Sequence, residues 1–195
     1  MDYASLFLAV LATALAADGE VLLTVNKDVL VARGAIAARV SARGFTVIAP
    51  EHRDARFSNH PWRVSLGAMV AGNEAVMVHV ERVIDGSGAS NYSKLATSDW
   101  PWPGAHMREM CAEVNPADVD EEHDLAYLRD RGWDPSGSIA LEQHFITTDD
   151  HNQEIVVSLL IRSVHCDDKA ELHVALDKLR AKVSVCRDSG GRLHP

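Results

Sequence analysis

The sequence predicts an α+β domain in which an antiparallel sheet of two long hairpins packs with N-terminal, middle and C-terminal helices. Three observations carry this reading. Residues 62–84 and 138–166 alternate apolar and polar side chains about a central turn. Leu172, Leu176, Leu179 and Val183 recur at helical spacing behind Asp167-Asp168. Asn115, Pro116, a run of acids, then Arg129, Arg131 and Gly132 mark the start and stop of a middle helix.

A chain of 195 residues with 47% apolar and 24% charged side chains fits one domain spanning 1–195. Acids outnumber bases 28 to 19, for a net charge of −9. Phosphate backbones need clustered Lys and Arg, so free nucleic acid is excluded as a partner class.

Taking the elements in order, Leu6, Phe7, Val10, Leu11, Ala14 and Leu15 fall on one helical stripe, so residues 1–17 read as a packed N-terminal helix. The alternative is a secretory signal, because the apolar run ends in small residues before Asp18. Asp2 and the absence of any base before Lys27 oppose it. The run is also shorter than the roughly 20 residues a bilayer span needs, so no membrane span is expected.

Glu20 to Val25 reads as a short strand. Asp28 to Arg43 suits either period, and Val31, Ala35, Ala38 and Ala42 favour a helix ending at Gly44. Phe45 to Ala49 is a strand stopped by Pro50. In the first hairpin the even positions, Trp62, Val64 and Leu66 with Val76, Val78 and Val80, are expected on the core face. His79 and Glu81 would then point outward.

Residues 85–104, rich in Gly, Ser and Pro, form a long loop carrying Tyr92, Trp100 and Trp102. Tryptophans on such a loop suit an interface, or else fold back over the domain's own sheet. Ala105 to Val114 reads as a short helix before the middle one. In the second hairpin the odd positions, Ile139, Leu141 and Phe145 with Ile155, Val157 and Leu159, are the expected core face, leaving Glu142 and His144 outside. The closing helix follows, and residues 188–195 are a polar tail.

Cys111, Cys166 and Cys186 permit at most one intramolecular disulfide. A helix between Cys166 and Cys186 separates that pair too far to bridge. Three reduced thiols are expected.

The search for chemistry assigns no catalytic, metal or cofactor residue, and no cofactor. On a helix, His106 and Cys111 would sit about 140° apart and share no face. No metal-ligand spacing of the His-x-x-x-His or Cys-x-x-Cys kind occurs. Glu121-Glu122-His123-Asp124 and His165-Cys166-Asp167-Asp168 are consecutive residues that diverge. Gly86-Ser87-Gly88 lacks every phosphate-loop and nucleophile-elbow frame and reads as a turn. His79, His144 and His165 lie on expected strands, where a sheet could pair two of them with Glu81 or Glu142.

The order of an N-terminal helix, long hairpins and a helix directly after the last long strand, over Met1 to Val25 and Ser138 to Val185, resembles the topology of tail-terminator and neck proteins of tailed bacteriophages. The resemblance carries no residue motif, so it transfers no functional residue. It departs in the region from Asp85 to Gly132. The missing site constellation and the long Trp-Pro loop lead us to expect a non-enzymatic structural subunit that associates with itself and with neighbouring assembly proteins; the resemblance implies a virion, and the cysteine usage the cytoplasm. Trp100, Trp102, Tyr92, Leu6 and Phe7 are its candidate interface residues. The alternative expectation is a secreted or periplasmic binder or hydrolase with residues 1–17 removed.

Overall fold

In a computed structural model of the chain, the described residues are 20–188 except 116, 118 and 120–123. The N-terminal helix, Leu6, Phe7 and most of the tail lie outside them. The α+β expectation is overturned: among the described residues, strand accounts for 53% and helix for 12%. Two antiparallel sheets form the body. The smaller orders β1 (Leu23–Asn26), β2 (Val29–Ala32), β3 (Ala38–Ala42) and β11 (Val183–Arg187) side by side. The larger runs β4 (Thr46–Phe57), β5 (His60–Ala71), β6 (Glu74–Val83), β10 (Gln153–Arg162), β9 (Gly137–Thr147), β8 (Ala105–Val114), β7 (Ala96–Ser98). Among the described residues the helices are α1 (Asp124–Arg129) and α2 (Lys169–Arg180).

Three expected helices give way to strands or shorten. Asp28 to Arg43 becomes β2 and β3, because Leu30 and Val40 pair and are both fully buried in the small sheet's core. Tertiary burial of the alternating set outweighs the weak helical preference of its alanines. Ala105 to Val114 becomes β8, which pairs with β9 from His106 to Val114, and the described part of the middle helix is only α1. Pro50 does not stop β4. The strand bulges between Ile48 and Glu51 and continues, which a sheet-edge position allows. It then turns through Ser58 and Asn59, both at positive φ (49° and 70°), as a tight hairpin requires. The closing helix is capped by Asp168 as expected, and buries Leu172, Leu176 and Leu179. It is followed by β11.

Both hairpins form where expected, but their faces differ from the expectation. Only Gly72 and Asn73 separate the paired residues Ala71 and Glu74, so even positions of β5 stand opposite odd positions of β6. Trp62, Val64 and Leu66 therefore share a face with His79 and Glu81, not with Val76, Val78 and Val80. The same holds for β9 and β10, where Thr147 pairs with Glu154 and Ile155, Val157 and Leu159 stand beside Ile146, His144 and Glu142.

The large sheet is buried on both sides. Its inner face, with Met69, Val76, Val78, Val80, Ile155, Val157 and Leu159, packs against the small sheet and α2. Gly67 lets the layers close, since a Cβ there would stand 2.9 Å from Leu23 and 3.0 Å from Leu30. Its outer face, with Leu66, Ala68, Met77, Ile139 and Leu160, packs against Tyr127, Leu128 and Trp133 in and after α1.

Polar clamps join the layers. The Gln153 amide accepts from Ala35 N–H (2.7 Å) and donates to the carbonyls of Arg33 (3.1 Å) and Ile36 (3.2 Å), holding the β2–β3 loop. Cys111 on β8 and Cys166 before α2 form a disulfide with Cα atoms 5.5 Å apart, leaving Cys186 free and exposed. The expectation of three thiols is thus corrected. It rested on cysteine usage alone, whereas β8 pairing places Cys111 on the inner face.

Candidate functional site

Between the outer face and α1 lies a groove whose walls are set by strand register. Successive outer-face rows cross the sheet. Glu81 stands opposite Glu154, and His79 opposite Val156. Arg108, Gln143, Ser158 and Met77 form one line through β8, β9, β10 and β6. Met110, Leu141 and Leu160 form the next. Each step along a strand moves two residues on one face, so the groove grades from acidic and aromatic to apolar.

Four polar side chains, His79, Arg108, Asp124 and Gln143, stand at the junction of two compartments. On one side is an apolar cavity of about 340 Å³ floored by Met77, Ile139, Leu141 and Leu160 and flanked by Met110 and Leu125. On the other is a shallower space of about 410 Å³ bordered by Phe57, Trp62, Tyr92 and Phe145 with Glu81 and Glu154.

The junction is tied together by short contacts. Gln143 accepts from Arg108 Nε (2.6 Å) and donates to Ser158 Oγ (3.0 Å), fixing the guanidinium from a buried base. Arg108 also lies over the Phe145 ring at 5.5 Å. His79 has Nδ1 3.2 Å from Glu81 Oε1 and Nε2 3.5 Å from Asp124 Oδ2. Burial disfavours the charged imidazolium, but the carboxylates of Asp124, Glu81 and Glu154 overcome it and raise the His79 pKa to about 9. Glu154 moves the same way for a different reason. Burial and the facing Glu81 charge raise it to about 7, opposed by hydrogen bonds from Ser90 and from Tyr92 (2.9 Å). Tyr92 is itself raised, by burial and then by the Glu154 charge.

Of the residues anticipated at an interface, Trp102 is 9% exposed, with Arg187 over its ring at 4.9 Å. Trp100 stands edge-on to His144 at 4.5 Å. Tyr92 stacks on Phe145 at 4.2 Å and lines the groove. All three rings turn toward the chain's own sheet.

The three strand histidines are not brought together. His79 is on the outer face and His144 on the inner, while His165 precedes α2 in a loop. Sequence reasoning set His79 and Glu81 aside as outward-facing polar residues. A signal in the sequence was the near-continuous apolar run from Ala75 to Val80 around His79, the mark of a strand buried on both faces. Among the described residues, no group of three or more His, Cys, Asp or Glu side chains is arranged to hold a metal ion. No helix among them is long and apolar enough to cross a membrane. No family model, curated protein or solved structure matches the chain.

Proposed function

We propose that the protein is a binding domain that holds a small amphipathic molecule in the outer-face groove. One observation carries the reading: a preformed apolar cavity of about 340 Å³ abuts a fixed set of polar side chains at one end. This is the general form of a small-molecule site, an apolar body pocket with a few orienting polar groups. Binding rather than turnover is supported by how the titratable groups are engaged. Ser90 and Tyr92 each donate to Glu154, and His79 lies between Glu81 and Asp124. The Cys111–Cys166 bond supports an oxidising compartment, the periplasm or cell exterior. Self-association remains a separate proposal, for which Trp100 and Trp102 offer little free surface.

Methionine methyl NMR tests the groove. Met77 and Met110 border it, whereas Met69 and Met107 belong to the inner-face register. Titration with a library of small amphipaths should shift the Met77 and Met110 methyls and leave Met69 and Met107 in place. Shifts confined to Met69 and Met107, or no shift with any compound, would overturn the reading.

A further inference from the structure

We infer, building on the groove reading, that the molecule bound is a small monocarboxylate, with its acid group on Arg108 and its apolar body over Met77, Met110, Leu141 and Leu160. The charge pattern points this way. Asp124 lies near both His79 (3.5 Å) and Arg53 (3.8 Å). Glu81 faces His79, and Glu154 accepts from Ser90 and Tyr92. Each groove carboxylate therefore already has a donor or cation beside it, and none is left to recognise an incoming cation.

Arg108 is in the opposite position. Its Nε is committed to Gln143, but among the described residues no carboxylate pairs with its guanidinium. Its Nε is tied to the Gln143–Ser158 relay, its guanidinium lies over the Phe145 ring, and the residue borders the apolar cavity, which leaves its terminal nitrogens for an incoming acid group. A planar guanidinium oriented in this way matches a carboxylate in shape and charge.

The cavity then sets the size. At about 30 Å³ for a water-sized share of volume, 340 Å³ holds on the order of ten non-hydrogen atoms. An eight-carbon fatty acid or a phenyl-substituted propionic acid has that size and polarity.

The test is calorimetric titration of the full chain with octanoate, 1-octanol and octylamine, alongside Arg108→Gln. The Met77 and Met110 methyl signals report where each compound sits. Arg108 is exposed, so the variant removes charge without opening the core. Octanoate is expected to bind the wild type about tenfold or more tightly than 1-octanol, the range of one charge-assisted hydrogen bond. In Arg108→Gln that preference should vanish, with 1-octanol affinity retained. Equal binding of acid and alcohol, preference for the amine, or unchanged octanoate binding in the variant would overturn the carboxylate assignment while leaving the groove reading intact. Silence of Met77 and Met110 toward all three compounds would overturn both.

Discussion

Arg180 on α2 grips the buried carboxylate of Glu142 on β9 with two donors, Nε to Oε1 at 3.1 Å and Nη2 to Oε2 at 2.5 Å. His144 Nε2 approaches the same Oε1 at 2.6 Å. The Glu142 side chain is only 2% exposed, so the pair pins α2 to the inner face by a charge that water cannot reach. Arg180→Met leaves that charge short of its main partner and is expected to cost about 3 kcal/mol in urea unfolding, with part recovered in the Glu142→Gln, Arg180→Met double variant. Equal stability of the single variant and the wild type would show that the pair contributes nothing net.

The same carboxylate sets an acid limit. Burial raises its pKa, but the hydrogen bonds from His144 and Arg180 prevail and hold it below the usual value of 4.5. Its contribution to stability is present above that value and lost as pH falls through the lowered one. Wild-type stability should therefore drop on acidification below about pH 4.5 more steeply than that of Glu142→Gln, measured by denaturant midpoint.

On the opposite face the pH dependence has the reverse sign. His79 is raised from 6.5 to about 9, so its stabilising contribution is complete below pH 6.5 and disappears as pH climbs through 9. The full effect is on the order of 3 kcal/mol. Glu154, raised from 4.5 to about 7, also makes stability fall with rising pH, but between those lower values. His79→Gln should flatten the profile above pH 6.5 and Glu154→Gln should flatten it below pH 7. Unfolding midpoints from pH 5 to 9.5 separate the two windows. A wild-type profile that rises over this range would contradict both.

Gly34 has φ +123°, and a Cβ there would stand 2.4 Å from Gln153 Oε1. Gly34→Ala combines backbone strain with displacement of the amide that satisfies three backbone groups, an expected loss of about 2–4 kcal/mol. Gln153→Ala should cost a similar amount through the unsatisfied groups alone. If urea unfolding shows the two variants within error of the wild type, the amide does not clamp the loop.

Thiol counting tests the disulfide directly. Iodoacetamide under denaturing, non-reducing conditions should modify Cys186 alone, and all three cysteines after reduction. With 55 residues between its ends, the bond is worth about 4 kcal/mol in the chain-entropy description, the loss expected for Cys111→Ser with Cys166→Ser. Three modified thiols without reductant would remove it.

The hairpins were legible because alternation over ten residues is a strong local signal. Their faces were not, because every residue from Ala75 to Val80 is buried and the pattern has no exposed side to mark. Ala38–Ala42 and Ala105–Val114 carry small or mixed residues whose local preference is weak, and strand pairing decided them. The groove was invisible for a related reason. Arg108, Gln143 and Ser158 lie 35 and 15 residues apart in sequence and meet only through the register of three strands.

The turns of the two long hairpins have a consequence for how the length of this chain can vary. Two residues separate the paired positions Ala71 and Glu74 in one, and Thr148 to Gln153 separate Thr147 from Glu154 in the other. A single added or deleted residue in either turn rotates the following strand by half a turn, exchanging the valines that meet the small sheet for the side chains that line the groove. Unless a bulge absorbs it, such a change damages folding and ligand capture together, whereas a two-residue change spares both. Natural or engineered length variants at these turns should survive in steps of two.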